Sequence, residues 1–328
     1  MGITDINARE LAVGIASFAP PLRGRVSRRT GGTNSARYCY TVWLRHMLIA
    51  DASGLSTSGG TVAELGPGDS LGVGLAALLS GMTAYYALDA VCYSNPQRNV
   101  AIFDDLVALF SQRAPIPGED EFPRVRPRLG SYDFPSHILT DDHLAASLSP
   151  RRLDAIRRAI VAPMGPTTGA DARHGVAEVG LAYIAPWTDP AVIDAGSVDM
   201  IVSQAVLEYP SDLSATYAAM DRWLRPGGFV SHSIDFSSHG LTARWSGHWA
   251  CSDVYWALLV GRRPYILNRA PYSTHVETLR GYGYAIAHDI ATTEVGGVNR
   301  ARLTRRFAHL SDSDLSTRGA FIQAVKPG

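Results

Sequence analysis

Val62-Ala63-Glu64-Leu65-Gly66-Pro67-Gly68-Asp69-Ser70-Leu71-Gly72 is the stretch on which the reading of the fold turns. An apolar run leads into an acid, then two glycines spaced by one residue, then an apolar helical pattern. That order predicts a buried strand, a tight turn and a helix whose N-terminus opens toward the turn. Gly66 and Gly68 remove side chains where the backbone bends sharply and where a ligand must come close. The free N–H groups at the helix start offer donors to polar or anionic ligand groups. A small nucleoside-containing ligand across this turn is the expectation.

Working outward, the first strand spans about 61–66 and its helix about 71–80. Thr83 to Asp89 reads as a second strand ending in an acid. Asp89 falls about twenty residues beyond the glycine turn, where a doubly wound fold places the carboxylate that binds ribose hydroxyls. A carboxylate suits this task because it only accepts and can take two hydroxyl donors. Further strands are predicted at Val179–Ile184, Val198–Ser203, Phe229–Ile234, Tyr284–Ile290 and Ala320–Val325, with a helix at Asp212–Leu224. Strands alternating with helices and closing in a late strand pair predict an open α/β sheet.

Three segments lie outside this rhythm. Residues 1–60 read as an N-terminal helical piece, with helices at Ile6–Phe18 and Ala36–Ala50, and form a possible lid. Tyr40, Trp43, Leu44 and Met47 share one face, which favours packing and makes His46 structural. Residues of about 95–175 form a first insertion: a helix at Val100–Gln112, a proline-rich run from Pro115 to Pro135, a helix or helix pair at Asp141–Ile160 broken near Pro150, and a loop at Met164–Gly175. Residues 236–275 form a second insertion rich in Trp, His and Arg, and a helix finishes at Thr274–Arg280. The domain proper is thus expected over 61–328.

Composition narrows the function. Hydrophobic residues make up 46% of the 328 and charged residues 18%, which suits a compact protein. The formal net charge is +0, so no global field favours nucleic acid or an anionic membrane. Two local basic clusters, Arg23/Arg25/Arg28/Arg29 and Arg124/Arg126/Arg128, read as solvated surface. Cys39, Cys92 and Cys251 have no metal-ligand spacing and read as reduced thiols. Asp5, Arg9 and Glu10 interrupt any signal-peptide core, and the apolar run Leu71–Gly81 is too short for a span. A cytoplasmic protein without a membrane span is expected.

The glycine turn does not meet the dinucleotide pattern, since Gly68 is followed by Gly72 and not by a glycine three residues on. The leading acid, Glu64, suits an ammonium and sulfonium ligand better than a pyrophosphate. Four segments together resemble the class I S-adenosylmethionine-dependent methyltransferases: Glu64-Leu65-Gly66-Pro67-Gly68, Leu88-Asp89, Val198-Asp199-Met200-Ile201-Val202-Ser203-Gln204-Ala205-Val206-Leu207-Glu208-Tyr209, and Trp223-Leu224-Arg225-Pro226-Gly227-Gly228. The resemblance covers about 60–94 and 177–328. It implies a Rossmann-like α/β fold with a seven-stranded, mostly parallel sheet whose last strand is antiparallel, here with N-terminal helices and helical insertions. It implies S-adenosyl-L-methionine as cofactor, held by Glu64, Gly66, Pro67, Gly68 and Ser70 at the turn, Asp89 at the ribose, and Ser203 and Gln204 at the methionine. For adenine, Asp189 and Trp187 both stand near the turn after the third strand.

Transfer to a hydroxyl needs a nearby base, and histidine is the usual one at neutral pH. Ser231-His232-Ser233-Ile234-Asp235-Phe236-Ser237-Ser238-His239 lies at the carboxyl end of the fifth strand, the edge that faces the ligand crevice in such sheets. Alternation puts His232, Ile234 and Phe236 on one face and Ser233 and Asp235 on the other. His239 is the candidate base, with His232 and Asp235 as orienters, acceptor ligands or substitute bases. Asp235, His239 and His248 do not form a recognised metal pattern, and no metal is expected. Asn268-Arg269 could reach a charged or hydroxylated acceptor. The leading expectation is O-methylation of a small molecule or sugar/glycan acceptor, without a nucleic-acid partner. A protein or nucleic-acid methyltransferase and an inactive nucleoside-binding scaffold are the alternatives.

Overall fold

In the computed structural model, residues 6–19, 32–162 and 179–328 are described. The Arg23–Arg29 cluster and the Met164–Gly175 loop lie outside them. One seven-stranded sheet organises the chain, with strand order β3-β2-β1-β4-β5-β7-β6. The strands are β1 (Thr61–Leu65), β2 (Ala84–Leu88), β3 (Gly180–Ile184), β4 (Val198–Gln204), β5 (Leu224–Asp235), β6 (Ala285–Thr293) and β7 (Thr317–Val325). β7 runs antiparallel to both β5 and β6, and the other six strands point one way. Register fixes what meets at the carboxyl edge: Leu65 lies beside Leu88 and Ser203, and Ser203 beside His232. The order reverses beside β1, where chain ends from β1, β2, β4 and β5 open onto one crevice.

Both faces are covered, as parallel sheets require. One face carries α2 (Ala36–Ala52), α3 (Gly72–Leu79), α4 (Pro96–Ser111) and α6 (Pro150–Val161), preceded by the short α5 (Asp141–Ser147). The other carries α7 (Leu213–Trp223) and α9 (Tyr272–Gly281). α3 is apolar all round because it is enclosed all round: each of its residues is buried, between the sheet, α2 and α4. α2 is a core helix. Trp43, Leu44 and Met47 are fully buried, and the Trp43 indole donates to Ser80 Oγ at 2.7 Å. His46 is buried against β5, its Nδ1 2.6 Å from Ser231 Oγ, while Gln323 donates to its carbonyl at 3.0 Å. Burial lowers its pKa to about 3, so it is a neutral staple between helix and sheet.

Residues of the first insertion share this core: Phe103, Phe110, Ile116, Leu139 and Ile156 belong to the same cluster as α2 and α3. The Asp141–Ile160 stretch is a helix pair, since Pro150 begins a new helix after the Ser149 cap. α4 begins at Pro96, earlier than Val100, because the Asn95 side chain caps it by accepting from Arg98 N. β5 is longer than Phe229–Ile234. The Pro226-Gly227-Gly228 break is absorbed as a bulge, with Leu224 beside Val198 and Phe229 beside Met200. The second insertion holds α8 (Asp253–Val260), on which α1 (Ala8–Ala16) packs, and the short α10 (Asp312–Ser316) precedes β7.

Gly74 marks the tightest helix–sheet approach. A Cβ there would stand 2.0 Å from the Tyr85 ring. Gly74→Ala is expected to destabilise the fold by about 1–3 kcal/mol in urea unfolding. An unchanged midpoint would contradict this packing.

Candidate active site

The glycine turn is held from three sides. Gly66 and Gly68 have φ of 65° and 74°, the left-handed region that favours glycine. A Cβ on Gly66 would also meet Val206 Cγ2 at 2.6 Å, so the chain leaving β4 packs directly over the turn. Asp89 accepts from Gly68 N through Oδ2 at 3.2 Å and from Ala90 N through Oδ1 at 2.7 Å. Burial raises its pKa, and these backbone donors oppose that rise. The third grip comes from the loop ahead of α2. Thr33 Oγ1 donates to Pro67 O at 2.6 Å and accepts from Ser70 N at 3.1 Å, and Gly32 N donates to Asp69 Oδ2 at 3.2 Å. The fully buried Ser70 hydroxyl donates to the Thr33 carbonyl.

Glu64 points into the sheet side of this turn and is 2% exposed. The Tyr85 hydroxyl donates to its Oε2 at 2.5 Å. Burial first, against the Tyr85 bond, pushes its carboxyl from 4.5 up to about 8. The folded chain therefore holds a proton that the unfolded chain has released. This contribution to stability is full below about pH 4.5 and is lost as pH rises through about 8. Glu64→Gln keeps the neutral shape. Relative to wild type it is expected to gain on the order of 1 kcal/mol per pH unit across that window. Parallel denaturation profiles at both ends of the window would contradict it.

Across the crevice, the ends of β4 and β5 carry the other predicted residues. Ser203 Oγ lies 2.8 Å from His232 Nδ1, and both are buried. His232 also lies under Tyr217 of α7, with ring centroids 6.5 Å apart, and burial lowers its pKa to about 3. Gln204 is partly buried beside Ser233, and Ala205, next in the chain, has φ of 53°. His239 has φ of 49° and is followed by Gly240 at 80°, a tight turn that throws its ring back toward the sheet edge. There Nδ1 lies 3.0 Å from the Tyr209 hydroxyl and Nε2 3.5 Å from Asp235 Oδ2. The structure thus joins His239 with Asp235 and leaves His232 in the core with Ser203. Left-handed non-glycine residues at the ends of both strands are the kind of backbone outlier that clusters at functional sites.

Near β3, Asp189 caps a short 3₁₀ turn by accepting from Ala191 N at 2.8 Å. Trp187 stacks edge-on with Trp223 at 5.2 Å. Among the described residues no group of three His, Cys, Asp or Glu is placed to hold a metal ion.

Residues 170–231 match a family model described as a methyltransferase domain, a segment running from ahead of β3 into β5. That segment carries the likeness to a methyltransferase domain, and the strand order and glycine turn agree with the resemblance to the class I S-adenosylmethionine-dependent methyltransferases. Among solved structures it is similar to phosphoethanolamine N-methyltransferase 2 of Haemonchus contortus, at 15% identity and a TM-score of 0.40, over 87% of this chain and 53% of that one. It is also similar to an S-adenosylmethionine-dependent methyltransferase of Mesorhizobium loti, at 16% identity and a TM-score of 0.38, over 86% and 98%. The chain spans about half the length of the first, at 53%. No curated protein matches by sequence.

No local sequence pattern assigns a role to Tyr209, Tyr85 or Thr33. Tyr209 stands inside the segment that ends β4, so an aromatic hydroxyl just past a carboxyl-edge strand was its one signal. Tyr85 and Thr33 act across 21 and 37 residues, where no local pattern points.

Proposed function

We propose that the chain moves the methyl group of S-adenosylmethionine to a hydroxyl of a small-molecule or glycan acceptor, with His239 as the base. The observation that carries this reading is the His239–Tyr209–Asp235 cluster at the carboxyl end of β5, beside the strand that ends at the glycine turn's cover. The residues fit the cofactor. Asp89 is a carboxylate fixed at the end of β2 with acceptor capacity left for ribose hydroxyls. Glu64 is a buried acid held protonated by burial, which a neighbouring ammonium would ionise. Gly66, Pro67 and Gly68 leave backbone open to close approach, with Ser70 fixing the turn and Ser203 and Gln204 bordering the methionine end.

The cofactor supplies an electrophilic methyl on a sulfonium. Asp235 at Nε2 favours the His239 tautomer with its proton there, leaving Nδ1 as acceptor. The Tyr209 hydroxyl that meets Nδ1 marks where an acceptor hydroxyl would sit or pass its proton. With the cofactor bound, His239 would take that proton from the acceptor oxygen. His232 holds Ser203 and, through it, the end of β4.

The neutral net charge supports an acceptor other than nucleic acid. No described helix is long and apolar enough to cross a membrane. All three cysteines are free, which supports a reducing, cytoplasmic setting. The test is to incubate the protein with methyl-labelled S-adenosylmethionine and a small-molecule extract. Label in a methyl ether is expected. Label on nitrogen, or in protein or RNA, would overturn hydroxyl transfer to a small acceptor.

A further inference from the structure

Behind Asp235 lies a small half-open cavity of about 10 Å³, lined by Glu208, Asp235, His248, Asn268 and Arg269 among others. Glu208 is 4% exposed; only the backbone N–H groups of Glu208 itself and Asp235 approach its carboxyl, and no side chain or cation among the described residues pairs it. Its backbone is fixed: Asn268 N donates to its carbonyl at 2.7 Å, and the Asn268 amide donates to Leu207 O and Pro210 O at 2.8 and 3.2 Å. His248 is 2% exposed and its Nδ1 has no hydrogen-bond partner. A buried carboxyl with no cation beside it is costly, as is an unpartnered imidazole nitrogen, and the two lining one cavity point to a ligand that supplies what is missing.

The missing group is a donor. A carboxyl raised by burial, as Glu208 is, loses that penalty when a cation arrives. Arg269, the cation in the cavity wall, is committed elsewhere. Its Nη2 donates to Asp253 at 2.6 Å and its Nη1 to Cys251 O at 3.2 Å, and its guanidinium lies 4.7 Å from the Trp256 ring and 5.0 Å from that of Phe307. Glu208 and Asp235 together disfavour an anion. The cavity that Glu208 lines has room for one small head such as an ammonium, about the size of a water. Asp235 belongs to both places: it lines the cavity, and its Oδ2 faces His239 Nε2 at 3.5 Å.

We propose that this cavity is a recognition subsite for a protonated amine held by Glu208, with His248 as second partner, so that the acceptor is an amino alcohol or amino sugar. This rests on the hydroxyl-transfer reading above. With Asp235 as shared wall, the amine stands only a few bonds from the hydroxyl at His239. The amine is a handle, and the methyl goes to oxygen.

The experiment compares ethanolamine with ethylene glycol, which replaces the ammonium by a hydroxyl of similar size, binding to the full chain with and without S-adenosylhomocysteine. Ligand-observed NMR reads both. Ethanolamine is expected to bind about tenfold or more tighter than the glycol, and Glu208→Gln, nearly isosteric, to abolish the difference while unfolding no earlier than wild type. Equal binding of the two probes by the wild type, or a preference that survives Glu208→Gln, would overturn the subsite. So would displacement of ethanolamine by magnesium, which would make it a divalent-cation site. Failure of S-adenosylhomocysteine to bind would instead overturn the cofactor reading, since the probe comparison is also run without it.

Discussion

Replacing His239 by alanine is expected to lower kcat by about 10²- to 10⁴-fold, the usual contribution of a positioned general base, while leaving S-adenosylmethionine binding within about twofold of wild type. The separation follows from place. His239 meets Tyr209 and Asp235 beyond β5, whereas Gly66, Gly68 and Asp89 form the turn beyond β1 and β2. One structural effect must be set apart from the chemistry. At φ of 49° alanine is strained, and asparagine tolerates that backbone better. His239→Asn should therefore lose turnover equally while unfolding closer to wild type. A variant that binds cofactor and still turns over at the wild-type rate would remove His239 from the mechanism. Tyr209→Phe should turn over at a rate between those of the wild type and the His239 variants, since it leaves Nδ1 in place.

Asp89→Ala is expected to act on the other half of the site. It removes the proposed ribose acceptor and frees Gly68 N from its anchor at 3.2 Å. Losing charge-assisted bonds worth roughly 1.5–3 kcal/mol each weakens cofactor binding by about 10- to 100-fold or more. The same change orphans Ala90 N, so the fold should also lose stability, on the order of 1 kcal/mol. Asp89→Asn keeps shape and one acceptor, and should bind between alanine and wild type. Unchanged affinity in both variants, by calorimetry, would place the ribose elsewhere.

Much of the architecture was legible because its signals are local. Glycines at Gly66 and Gly68, an acid about twenty residues on, and apolar runs of strand length all sit within short windows. Alternation along β5 also held. His232, Ile234 and Phe236 share the face covered by α7 and α9, where Ile234 and Phe236 join the second core cluster. What alternation could not convey is how closely that face is covered, which seals His232 with no exposed surface. The Thr33 clamp on Pro67 and Ser70 was equally hidden, since it joins an N-terminal loop to a turn 34 to 37 residues away. Glu208 lies just past β4, and an acid in a sequence does not reveal whether it is paired. Only three-dimensional packing shows it buried with no cation beside it among the described residues.

Titration of the purified chain with S-adenosylmethionine in a calorimeter tests the central claim most directly. Saturable binding of one cofactor per chain is expected, weakened in Asp89→Ala and retained in His239→Asn. No heat and no thermal stabilisation at millimolar cofactor would contradict the assignment of the glycine turn, and with it the reaction.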